Sequence, residues 1–193
     1  MVTHDGLALE TKVTADDKHL FVHYTVKNTE ATTAYLLNLV DLPDAKGFTR
    51  VHKDNAYVYV DGSDVLVEKA IPAIPPGVRP YEPVTPYMTA LRPGASFEET
   101  VELPLPIHDS RPYRGGPPGD EQVRVEAVRF SLGYFRVPEG TTDWPIPAGD
   151  ATAVQFDTPG NTLPKAGQLE TLSPIHSAQS GEKVTVPAVP PKL

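Results

Sequence analysis

The chain has 193 residues, 25 acidic and 17 basic side chains for a net charge of −8, no cysteine and 22 prolines. That length fits one decorated domain. The acidity gives no general attraction to nucleic acid or anionic lipid, and the lack of cysteine excludes disulfides and thiolate metal sites. Residues 1–42 contain no proline, whereas more than half of the prolines lie between Pro72 and Pro118. Because proline removes a helix donor and clashes with the preceding turn, this distribution excludes a helix-rich fold beyond Leu42.

Leu7, Leu9, Thr11 and Val13 alternate with mostly polar neighbours, and after Asp16-Asp17-Lys18 the pattern repeats in Leu20, Val22, Tyr24 and Val26. Period-two alternation on both sides of a turn predicts an antiparallel hairpin. Asn28-Thr29-Glu30 breaks the run, and Thr33 to Leu42 is apolar on both faces, as in a central strand, with helix as the alternative. Tyr57–Val60 and Val65–Val67 flank Asp61-Gly62-Ser63-Asp64, which predicts a hairpin whose glycine takes positive φ, with Val58 and Val60 facing opposite to Tyr57 and Tyr59.

Ile71 to Pro86 is too rich in proline for a central strand and reads as an extended surface segment. Tyr87–Leu91 and Ser96–Leu103 read as strands around an Arg92-Pro93-Gly94-Ala95 turn, and Pro104 to Asp120 as a second long loop. In Gln122–Val137 the apolar phase switches: Val123 and Val125 fall on odd positions, Phe130 and Leu132 on even ones. One extra residue near Ala127 or Val128, a β-bulge, brings both sets to the core. Ala151–Phe156 is a further strand, and beyond Thr158 only Lys183–Val186 looks able to pair.

About nine short strands separated by turns predict an all-β fold, an immunoglobulin-like antiparallel β-sandwich with long proline-rich loops. The sandwich domain is expected over 1–158, followed by a proline-punctuated extension, 159–193, packing along it. Leu20-x-Val22-x-Tyr24-x-Val26-x-Asn28, followed by Leu91-Arg92-Pro93-Gly94-Ala95-Ser96 and a strand, resembles bacterial immunoglobulin-like accessory domains. Intracellular proteinase-inhibitor domains of the Bacillus type have a comparable layout. The resemblance spans Leu20 to Leu103, rests on turn chemistry, identifies no inhibitory loop and implies the fold class alone.

No constellation points to covalent or metal chemistry. His19 and His23 would lie about 13 Å apart along a strand, too far to share an ion. Asp61 and Asp64 read as turn residues, Glu98 and Glu102 as a solvent face, and the acidic clusters lack the Gly-and-Glu spacing of a calcium loop. No Gly-x-Ser-x-Gly or Ser-x-x-Lys is present, and the prolines of Gly115–Gly119 remove the amides a phosphate loop needs. No cofactor or metal is expected.

Two similar tripeptides stand out in the long loops, Arg79-Pro80-Tyr81 and Arg111-Pro112-Tyr113, with Tyr87 and Arg114 nearby. Rigid loops carrying tyrosine and arginine have the composition of interface hot spots. The candidate contact residues are therefore Arg79, Tyr81, Tyr87, Arg111, Tyr113 and Arg114. The functional expectation is a non-enzymatic module that binds a protein partner, or a second copy of itself, through its loops or a free sheet edge, without nucleic acid or membrane insertion. The rivals are a carbohydrate-binding sandwich using Tyr81, Tyr113 or Trp144 and an enzyme with a dispersed site. No apolar run is long enough for a membrane span, and Met1–Gly6 lacks the pattern of a signal peptide, so the expected compartment is cytoplasmic, or periplasmic or extracellular if a leader has been removed.

Overall fold

The computed structural model describes residues 2–43, 49–79, 87–113, 122–136, 143–149, 151–156 and 176–190, and every regular element among them is a strand. β1 (Val2–His4) turns through Asp5-Gly6 into β2 (Leu7–Ala15), and the φ values of 40° and 70° at those two residues are those of a type I′ turn. β3 (His19–Asn28) runs back along β2 with Leu7 opposite Asn28 and Ala15 opposite Leu20. The alternation read from sequence holds here, since Leu7, Leu9, Val13, Leu20, Val22, Tyr24 and Val26 are all buried.

β4 (Ala34–Leu39) is a strand and not a helix, and all six of its residues are buried, as expected when both faces of a strand are covered. Two short strands follow, β5 (Asp41–Pro43) and β6 (Thr49–Val51), paired to each other. β7 (Tyr57–Asp61) and β8 (Asp64–Lys69) form the hairpin expected at Asp61–Asp64. Gly62 has φ 61° and Ser63 is not in the positive region, the pattern of a type II′ turn. Val58 and Val60 join the main core, while the outward-facing Tyr59 donates to Glu68 at 2.9 Å.

The remaining elements are β9 (Tyr87–Leu91), β10 (Ser96–Pro104), β11 (Ile107–His108), β12 (Val123–Arg136), β13 (Asp143–Ala148), β14 (Ala151–Phe156) and β15 (His176–Val189). One sheet has the order β1-β2-β3-β10. The other runs β11-β15-β12 and then forks, because Ala127–Leu132 of β12 pair with β8 whereas Tyr134–Arg136 pair with β4, which in turn carries β9. The main core lies between the two sheets, where Tyr24 stacks on Phe130 with centroids 4.6 Å apart. A second apolar layer (Tyr35, Leu37, Met88, Phe135) lies on the far face of the forked sheet, against Ile71 and Val154.

Three expectations need correction. The forked sheet is mixed, not antiparallel throughout: β8 and β12 run parallel, as do β11 and β15. The chain leaves β8, builds β9 and β10, and only then returns as β12, a crossover long enough to permit parallel pairing. Pairing at the C-terminal end is not confined to Lys183–Val186, since β15 pairs with β12 from Val123 to Tyr134, with Val186 and Ala188 buried. Finally, β12 changes register between Val125 and Ala127 and turns Val125, Val128, Phe130 and Leu132 to the core, as its phase switch requires. However, the extra residue belongs to the partner: β12 covers Val125 to Val128 where β15 covers Val186 to Glu182. The carbonyl of Ser63 accepts from the amides of Glu126 and Ala127 at the break, at 2.8 and 3.3 Å.

Candidate binding site

Lys69 continues the inward phase of Val65 and Val67 and is fully buried at the end of β8, beside the fork. Its ammonium donates to Glu99 Oε2 at 2.6 Å and to the carbonyls of Asn38 at 2.9 Å and Lys53 at 2.5 Å. Tyr24 donates to the same Glu99 oxygen at 2.6 Å. Three oxygen acceptors around one nitrogen define the charged lysine, although burial pulls it below its ordinary value, partly offset by Glu99. Burial first, and the Glu99 charge second, push the Tyr24 phenol well up. With every Nζ proton engaged and no exposed surface, this lysine is neither a nucleophile nor a base that a solute could reach; it is a strand tie.

The Arg-Pro-Tyr residues divide. Tyr81 and Arg114 lie outside the described residues. Arg111 is held inside the molecule: its guanidinium reaches Asp109 at 2.6 Å and Asp61 at 3.0 Å and lies 5.4 Å from the centre of the Tyr59 ring. The same segment covers the outer edge of β7, where Val60 N donates to Asp109 Oδ2, Val58 N to Ser110 Oγ, and Arg111 Nη2 to the Val60 carbonyl. An edge strand blunted in this way cannot template pairing with another chain. Tyr113 is partly buried with φ 62°, and its phenol is raised by burial. Arg79 is exposed and makes no ion pair among the described residues. Tyr87 opens β9, half-buried, at the edge of a cleft.

That cleft, of about 700 Å³, lies between the β5–β6 hairpin, the turn after β13 and the start of β9. Asn55 fixes one wall by donating to the carbonyls of Val40 at 2.9 Å and Arg50 at 2.6 Å, where β4 breaks into β5. The other wall approaches backbone to backbone: a Cβ on Gly149, whose φ is 61°, would lie 1.9 Å from the Val51 carbonyl oxygen. Val51 and Ala148 belong to a small apolar cluster with Leu39 and Ala153, against which Tyr87 packs, so the cleft has an apolar floor. Asp41 and Arg50 supply its charge, and His52 adds a polar ring. Burial raises the Asp41 carboxyl, and no cation among the described residues offsets the shift.

A second, more polar depression of about 460 Å³ lies on the outer face of the first sheet, where His23 Nδ1 meets Thr100 Oγ1 at 2.7 Å. Phe21 stands between the rings of His19 and His23, 6.0 and 6.2 Å from them. Among the described residues no group of three or more histidines and carboxylates could hold a metal ion.

Sequence reasoning singled out Tyr87 but missed Asp41, Arg50, His52 and Asn55, which meet only because two hairpins converge. Lys69 and Glu99 did leave a signal, charges of opposite sign on the inward phase of two strands. No family model, curated protein or solved structure matches the chain.

Proposed function

We propose that the chain is an immunoglobulin-like β-sandwich module that binds a protein partner without covalent chemistry, and that its contact surface is the loop end around the Asp41–Tyr87 cleft. The observation that carries this reading is the cleft itself, concave and part apolar, with arginine, histidine and tyrosine at its rim. Sites of this composition hold side chains by area and orient them by a few polar groups. The two sheets enclosing one core support the sandwich, and the forked, partly parallel second sheet is where it departs from the immunoglobulin pattern. The charged side chains within the fold favour binding over catalysis, since Lys69, Glu99, Asp109 and Arg111 all tie strands together.

The test is affinity capture from a cell extract with the wild-type chain and with Arg50→Glu and Tyr87→Ala. Each variant should weaken retention of a specific partner by about tenfold or more, the range of hot-spot truncations. Tyr87→Ala is read against its own melting temperature, because the ring also packs on the cleft floor. Undiminished capture of the same partner by both variants overturns the reading.

A further inference from the structure

Ile74 is half exposed, at 50%, and Val2 at the N-terminus is the other large hydrophobic residue exposed among the described residues. Single exposed apolar residues are common, but this one is mounted rigidly. Ile71 packs against the second apolar layer and Pro72 is buried, which anchors one end of the segment. At the other end Val78 N donates to the Pro75 carbonyl at 3.1 Å, with Gly77 at φ 83°. That is a type II turn, with Pro76 and Gly77 in the positions the turn favours. Ile74 and Pro75 each precede a proline and are held extended by its ring. A preformed segment loses little entropy on docking. Five residues after Ile74, exposed Arg79 ends it.

The cleft offers the complement: an apolar floor and, beside it, the Asp41 carboxylate, which has no ion-pair partner among the described residues. Neither feature satisfies the other within one molecule, since Ile74 and Arg79 are both exposed. We propose that the Ile74–Arg79 turn docks into the cleft of a second copy of the chain, with Ile74 over the apolar floor and the Arg79 guanidinium on the Asp41 carboxylate. The proposal rests on the cleft being the contact surface and names its occupant. One turn in one cleft buries on the order of a few hundred Å², below the roughly 1,200 Å² of a stable specific interface. Made twice about a two-fold axis the contact doubles, so the expected product is a weak, closed dimer.

Sedimentation velocity over a concentration series tests this. The wild-type chain should dimerise in roughly the micromolar range. Ile74→Asp and Arg79→Asp should each weaken dimerisation by about tenfold or more with unchanged melting temperature. The charge swap Arg79→Asp/Asp41→Arg should recover it to within about threefold. If Asp41→Arg does not fold, Asp41→Asn replaces it: combined with Arg79→Ala it should weaken dimerisation no further than either change alone, the signature of one shared contact. A dimer indifferent to Ile74→Asp, or a swap with no recovery, overturns the docking. A wild-type chain that stays monomeric overturns it too, yet leaves the binding-module reading standing if Arg50→Glu and Tyr87→Ala still lose a captured partner. If capture is undiminished as well, the cleft reading fails with it.

Discussion

Replacing Lys69 with methionine keeps most of the side-chain volume and removes the ammonium. Glu99, with 10% of its side chain exposed, then keeps only the Tyr24 hydroxyl among the described residues, and the Asn38 and Lys53 carbonyls lose their donor. Removing one partner of a buried ion pair costs about 3–5 kcal/mol, because the other charge stays behind uncompensated. A carbonyl left without a donor in the interior costs about 1–3 kcal/mol. These contributions overlap, and Lys53 is near enough to solvent for water to replace its bond, so Lys69→Met should cost about 4 kcal/mol. Lys69→Met/Glu99→Leu removes the stranded charge but leaves the Asn38 carbonyl without its donor and the Tyr24 hydroxyl without its acceptor, and should still be about 2 kcal/mol less stable than wild type.

Urea unfolding followed by the fluorescence of Trp144, the one tryptophan, measures both. With a slope of about 2 kcal/mol per molar, the midpoint should fall by about 2 M in the single variant and about 1 M in the double. Two results refute the reasoning. A single variant within about 1 kcal/mol of wild type means the interior tolerates an unpaired Glu99. A double variant that returns to wild type means the lysine is only a counter-ion and the carbonyls do not need it.

Gly62 and Gly149 share φ 61° but should respond differently to alanine, since nothing lies within 4 Å of a Cβ at Gly62 and the Val51 carbonyl lies 1.9 Å from one at Gly149. Thermal unfolding should show a loss of about 1 kcal/mol at Gly62 and several-fold more at Gly149; equal losses would contradict the backbone-to-backbone approach that forms the cleft wall. Burial raises the Glu68 carboxyl above its ordinary value of 4.5. A raised acid contributes stability that is fully present below that ordinary value and lost as pH rises through the folded-state value, so Glu68→Gln should be more stable than wild type at pH 7, with the gain vanishing in acid. A gain that persisted unchanged below the ordinary value would contradict this linkage.

The local structure was legible because it follows local chemistry. Asp61-Gly62-Ser63-Asp64 predicts its own hairpin, and Leu20–Val26 displays its inward face. The switch of phase along β12 located an irregularity at Ala127, but a phase count on one strand cannot tell a residue gained there from a residue gained on its partner. Partner choice was not legible. Nothing in Val65–Lys69 says that it will lie parallel to a strand some sixty residues further on, and the chain segments between them decide that. The segment His176–Val189 looked polar because in Gly181–Pro187 only alternate residues face inward, and the exposed ones between them hid a strand, β15, that pairs along nearly all of β12. Within the candidate site, Tyr87 carried a compositional signal, whereas Asp41 and Asn55 gain their roles from the break between β4 and β5.

That break and the buried lysine answer one packing problem. Two strands, β8 and β4, share one edge of β12, so they must part where the first ends and the second begins. Gly133 sits at the parting, where a Cβ would come within 2.8 Å of Ala70 Cβ and 3.2 Å of Leu37 Cδ1, so only a residue without a side chain lets them approach. Beyond Leu36, β4 shifts register against β9, which takes the Asn38 carbonyl away from regular pairing. A carbonyl freed inside a core needs a donor that water cannot supply, and the Lys69 stem is long enough to bring one from β8. Its charge then requires Glu99 from the opposite sheet, which ties the two sheets across the core. The same divergence of β4 ends it at Leu39 and sends Asp41–Pro43 out to pair with β6 in a separate two-stranded sheet that lines the cleft. The interior ion pair and the surface cleft thus have a common origin in the fork, and only the cleft leaves a carboxylate and an apolar floor open to another molecule.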